Sequence, residues 1–211
     1  MFRTLLLAVC LAACSRAEVI DKLVIVVGRH VVTELQLDEE LRVTAFLNGS
    51  PVERDRTARR EAADRLVEQL LIRREMDLSR YPLPETKAVD AYLDQVHARF
   101  PSPEAFSRQL AAYHLSEDTL RDHLALQLTT LRFIEYRFSS DMSVSDDDVQ
   151  RYYQNEMVRD KQSGGAVPSF AAAKESIRQK LVEQRTDESL DNWLEEARKH
   201  VNIVYLEKDL E

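Results

Sequence analysis

Val19 to Leu47, VIDKLVIVVGRHVVTELQLDEELRVTAFL, decides how this chain folds. Leu23 to Val27 is dense in β-branched residues, and Gly28-Arg29-His30 interrupts it with a glycine able to take the positive φ that a hairpin turn demands. Val31 and Val32 resume the extended pattern. After Thr33 the period changes: Leu37, Leu41, Ala45 and Phe46 recur at helical spacing and line one face. The stretch therefore predicts strand, turn, strand, helix, with the helix capped at Thr33. A two-stranded hairpin alone is marginal in water, so a third strand or a covering helix must come from elsewhere in the chain.

Working outward, Asn48-Gly49-Ser50-Pro51 stops the first helix. A second begins near Asp55 and carries Ala62, Leu66, Val67, Leu70 and Leu71 toward Met76. Tyr81-Pro82-Leu83-Pro84 breaks it. Val89, Tyr92, Leu93 and Val96 mark a third helix, and Ser102-Pro103-Glu104 caps a short fourth bearing Phe106, Leu110 and Tyr113. Ser116 opens a long helix whose stripe is Leu120, Leu124, Leu128, Leu131 and Phe138, with Leu126, Phe133 and Tyr136 lying off it. Such a helix is packed on two sides or presents an apolar groove. Ser145 with Asp148 caps a helix bearing Val149, Tyr152 and Tyr153. The polar stretch Val158 to Pro168, with the chain's one Gly-Gly pair, reads as a flexible linker. Ser169 then caps a long terminal helix, with a kink expected near Thr186-Asp187, and Val201 to Tyr205 alternates like a strand. That strand is the third one the hairpin lacks.

The first residues form an export signal covering residues 1–17. Met1 to Thr4 is a short positive region and Leu5 to Ala13 an apolar run too short for a membrane span, which needs about 20 residues. Two cleavage sites compete. Ser15-Arg16-Ala17 fits ordinary signal peptidase, cutting before Glu18; Leu11-Ala12-Ala13-Cys14 resembles a lipoprotein box, cutting before Cys14, and is preferred because the short apolar run suits it. Cys14 would then be lipidated. With Cys10 inside the leader, the mature body has no thiol for a disulfide or metal site.

The full sequence of 211 residues is long enough for one domain, taken as residues 18–211. Only four Gly and six Pro argue against a turn-rich β fold, so a mainly α protein is expected. A net charge of -8 disfavours nucleic acid as partner, because phosphate neutralisation needs clustered cations. Arg54, Arg56, Arg59 and Arg60 alternate with Glu53, Asp55, Glu61 and Asp64 as a solvated face would. His30, His97, His114, His123 and His200 show no ligand spacing, and no P-loop, GxGxxG or GxSxG is present. No catalytic, nucleotide, cofactor or metal site is therefore expected. Pairs such as Glu39-Glu40 and Glu195-Glu196 read as solvated helix faces.

The element order resembles the SurA-like periplasmic chaperone family. The resemblance rests on Val26-Val27-Gly28-Arg29-His30-Val31-Val32 after the leader, on Val144 to Val149 through Tyr152-Tyr153, and on the closure from Trp193 to Val204. It implies a multi-helix bundle whose N-terminal hairpin is joined by the C-terminal strand. It also implies an ATP-independent holdase of the envelope whose partners are unfolded outer-membrane or secreted polypeptides; a membrane would be a further partner if Cys14 is lipidated. Relatives with peptidyl-prolyl isomerase activity carry a parvulin module between the Tyr-Tyr helix and the terminal helix; here only Gln154 to Pro168 occupies that place, too little for a folded domain. Leu35 also departs from the small capping residue usual in the family. Groove candidates for clients are Tyr113, Leu126, Phe133, Tyr136, Tyr152 and Tyr153. Prolyl isomerisation, or a structural role in an envelope complex, are the alternatives.

Overall fold

The computed structural model describes residues 21–79, 85–139, 142–163 and 168–210. The leader with Cys14, the break at Tyr81 to Pro84 and the Gly164-Gly165 pair lie outside the described residues. Strands β1 (Leu23–Val27) and β2 (His30–Thr33) form the expected hairpin, and β3 (Ile203–Tyr205) pairs antiparallel with β1 to give the order β2-β1-β3. Gly28 turns the hairpin at φ 60. Its amide also donates to Asn202 O at 2.8 Å, and a Cβ there would come within 3.3 Å of Val201, so the turn is fitted to the returning chain end.

Seven α-helices follow from the capping and periodic signals, among the described residues. In α1 (Glu34–Asn48) Thr33 is the N-cap, and Gln36 closes a reciprocal capping box. Helix α2 (Arg56–Ser79) starts where Asp55 Oδ1 accepts from the Ala58 amide at 2.9 Å. Helices α3 (Thr86–His97) and α4 (Pro103–Ala112) form a short pair, α4 with its Ser102 cap and Pro103 in the first turn. Helix α5 (Glu117–Ile134), capped by Ser116, runs into a π-helical turn, Glu135–Ser139. Ser145 and Asp148 exchange hydrogen bonds at the start of α6 (Asp146–Ser163). Helix α7 (Phe170–Lys199) is continuous through Thr186 and Asp187. The boundary expected at Val158 is corrected: 158–163 extend α6, because Arg159, Lys161 and Gln162 are good helix formers and the first glycine comes only after Ser163.

Three apolar clusters result among the described residues. The largest joins the inner face of the sheet (Val24, Ile25, Val27, Val32) to Leu37 and Leu41 of α1, Val67 and Leu71 of α2, Phe133, Phe138 and Leu194. A second packs Val43 and Phe46 of α1 against Leu93, Val96, Phe106, Leu110, Leu120 and Leu124. A third is small and lies between α6 and α7: Val149, Ala173 and Ile177. Helices α1 and α5 each serve both large clusters, with Leu120 and Leu124 in one and Phe133 in the other. Helix α5 is thus a central helix packed on two sides. Since a buried Leu or Phe is worth about 1.5–3 kcal/mol, these two clusters dominate stability.

Candidate functional site

A cleft of about 510 Å³ opens between α1, α2, α3, α5 and α7. Its walls mix apolar side chains, Leu47, Ile72, Val96, Leu131, Ile134, Leu190 and Leu194, with polar and charged ones that include Asn48, Glu68, Gln69, Arg99 and Gln127. At its base lies a group of charges on three helices. Glu40 is 4% exposed, yet it is a carboxylate. Arg65 Nε donates to Glu40 Oε1 at 2.8 Å, and Thr44 Oγ1 donates to the same oxygen at 3.3 Å. His123 Nδ1 stands 3.5 Å from Glu40 Oε2. Burial, with help from the Arg65 charge, holds the His123 imidazole below its ordinary value, although Glu40 and Glu39 pull the other way.

Helical spacing puts these groups there. Glu40 follows Leu37 by three residues and so shares its inward face; Arg65 follows Ala62 and His123 follows Leu120 in the same way. Burying a carboxylate is costly unless it is paired and hydrogen-bonded, and Arg65 supplies both. The expectation that Glu39-Glu40 form a solvated pair is half corrected: Glu39 is exposed and Glu40 is buried. In the sequence each of the three reads as an ordinary helix-surface group, so no local signal joins them.

None of the six groove candidates lines this cleft. Phe133 is corrected outright. It is 2% exposed, and its ring packs against Phe138 at 6.0 Å and Trp193 at 5.8 Å. Leu131, assigned to the inward stripe, is instead 51% exposed and forms a wall of the cleft. The two exchange places because the inward face of α5 moves as the helix passes from one cluster to the other, and residues two apart lie on opposite sides of a helix. Tyr113 packs its ring edge-on to Phe46 and donates its hydroxyl to Ser50 O at 2.8 Å, which makes it a cap for the second cluster. Leu126 is partly buried on α5. Tyr136 is 66% exposed on the π-helical turn.

Tyr152 and Tyr153 are brought together on a separate, shallower cleft of about 270 Å³, with Pro168, Ile177 and Lys180. Tyr153 donates to Pro168 O at 2.7 Å and meets Phe170 at 5.3 Å, while Lys180 Nζ lies 5.2 Å above the Tyr152 ring. Charges secure this α6–α7 pair. Asp148 Oδ2 accepts from Arg185 at 2.9 Å, and Asp146 is held by Lys174 at 3.0 Å and by Arg178. The hydrogen bonds from Ser145 and Arg185 hold Asp148 well below the usual carboxylate range, and Lys174 does the same for Asp146.

Among the described residues no group of three or more His, Cys, Asp or Glu is placed to hold a metal ion, and no helix is long and apolar enough to cross a membrane. No protein-family model matches this chain, and no curated protein matches it. What the structure defines is a mainly helical protein with a small terminal sheet and an open interhelical cleft of mixed character.

Proposed function

We propose that this chain is an exported chaperone that holds unfolded polypeptides in the envelope without nucleotide, as its resemblance to the SurA-like family implies. The observation that supports this reading is the interhelical cleft. Its size is that of a site for a small ligand or a few side chains, and Leu47, Ile72, Val96, Leu131, Ile134, Leu190 and Leu194 give it apolar surface among polar and charged neighbours. Leu131 on its wall is half exposed, so an incoming apolar side chain gains contact there without any prior opening. Holding operates by mass action: occupancy of the unfolded chain lowers the concentration free to aggregate. The export signal read in residues 1–17 supports a location outside the inner membrane, and lipidation of Cys14 would keep the protein at a membrane surface.

The test is light scattering as a denatured outer-membrane protein is diluted into the chaperone. Suppression is expected at stoichiometric excess, and Leu131→Asp should weaken it severalfold with an unchanged urea midpoint. Scattering that rises equally with and without the wild-type protein would sink the holdase reading.

A further inference from the structure

The sheet buries one face and leaves the other bare. Ile25, Val27 and Val32 point into the largest cluster, and the register shift between Leu23 and Ile25 lets Val24 turn inward as well, so Val24 and Ile25 are both fully buried. On the opposite face the row Val31–Val26–Val204 crosses all three strands, because Val26 pairs with Val31 on one side and with Val204 on the other. Leu23 opens β1 and Leu206 directly follows β3. Leu23, Val31, Val204 and Leu206 are 40–52% exposed, and they are four of the eight exposed large apolar side chains among the described residues. A sheet with one solvated face ordinarily turns polar residues outward.

The two edges of the sheet differ. On β2, His30 and Val32 bond inward to β1, the Thr33 amide is taken by Gln36 Oε1, and α1 begins at the next residue; only Val31 has outward backbone groups to offer. On β3, the Gly28 amide bonds to Asn202 O and the Leu206 amide to Val24 O, which fixes Asn202, Val204 and Leu206 as the inward-bonding residues. The N–H and C=O groups of Ile203 and Tyr205 therefore point away from the sheet, and none of them has a hydrogen-bond partner among the described residues. An unpaired edge of this kind is a template for another strand.

We infer that the β3 edge and the bare valine face capture an extended polypeptide segment with alternating apolar side chains, which joins the sheet as a fourth strand. The backbone groups of Ile203 and Tyr205 bond the segment, and its apolar side chains on the bare face lie beside Val204. Size selects this occupant over a second copy of the chain. Three strands with a longest span of five residues present about 17 Å by 14 Å, roughly 250 Å², whereas a stable dimer covers about 800 Å² on each partner. The inference rests on the reading of this chain as a holder of unfolded polypeptides and adds a site on the opposite side of the sheet from its core, made of backbone as much as side chains.

The experiment measures amide hydrogen exchange at Ile203 and Tyr205 in the whole mature protein, with and without a short blocked peptide of alternating valine and threonine. At peptide concentrations about ten times its Kd, exchange at both amides should slow about tenfold, and Val204→Lys should remove most of that protection. Peptide binding that leaves both amides fast, or protection undiminished by Val204→Lys, overturns the inference. So does protection that rises with protein concentration in the absence of peptide, which would assign the face to a second copy. If aggregation is not suppressed while these amides are protected, the holdase reading fails and the strand site stands; suppression without protection gives the reverse.

Discussion

Leu194 and Ile177 lie on the same helix, α7, at the same exposure of 7%, yet they belong to regions held in different ways. Leu194 faces the largest cluster, where the sheet, α1, α2 and the π-helical turn converge around it with Trp193 beside it. Ile177, with Ala173 one turn before it on α7, faces Val149 of α6, with partly buried tyrosines at the margin. There the apolar contact is supplemented by ion pairs at and near the surface, Asp146 with Lys174 and Arg178 and the half-buried Asp148 with Arg185. Burial of a single side chain thus says little about its weight; the size of the cluster around it says more. The body resists opening through packing, and the α6–α7 arm through a mixture of modest packing and screened charge.

The largest effect expected comes from cutting the body at its closure. Removing 201–211 deletes β3, frees the inner edge of β1 and uncovers Gly28, so cooperative unfolding should be lost in a urea titration. A truncated protein with an unchanged transition would show that the hairpin is covered well enough by helices alone.

A pair of substitutions on α7 tests the comparison directly. Leu194→Ala should lower global stability by about 2–4 kcal/mol. Ile177→Ala should shift the global urea midpoint much less and instead speed amide exchange across 146–156 and 170–181, because the arm opens before the body does. Equal midpoint shifts for the two variants would make arm and body one cooperative unit.

Acid should separate the regions by the pH at which each loosens. Burial holds His123 below its ordinary value, so the unfolded chain binds the proton more tightly. The neutral histidine's contribution is complete above about pH 6.5 and declines as pH falls from there toward the depressed folded value. Asp146 and Asp148 are also depressed, so their contribution is complete above about pH 4 and is lost as pH falls through their folded values. On acidification the base of the cleft should therefore respond first and the arm later, read by the His123 ring resonances and by the tyrosine fluorescence of Tyr152 and Tyr153. High salt should mimic the second step and not the first. A His123 that titrates at or above its ordinary value would show that Glu40 outweighs burial.

Local chemistry made much of this architecture legible. The hairpin, the Thr33, Ser102, Ser116, Ser145 and Ser169 caps and the closing strand are each set by residues within a few positions of one another, and each stands where the sequence placed it. The cleft was not legible in the same way. Its Glu40, Arg65 and His123 come from three helices, and each taken alone resembles an ordinary surface charge; only the packing of α1 against α2 and α5 makes one of them a buried carboxylate with two basic neighbours.

The same division explains the exchange of Leu131 and Phe133. The sequence by itself determined that α5 is amphipathic in two directions, because a 3.6-residue repeat fixes which side chains share a face. Tertiary structure alone decided which direction meets a core and which meets the cleft, because that depends on neighbours far apart in the chain: Phe138 and Trp193 for the one, Leu47 and Leu190 for the other.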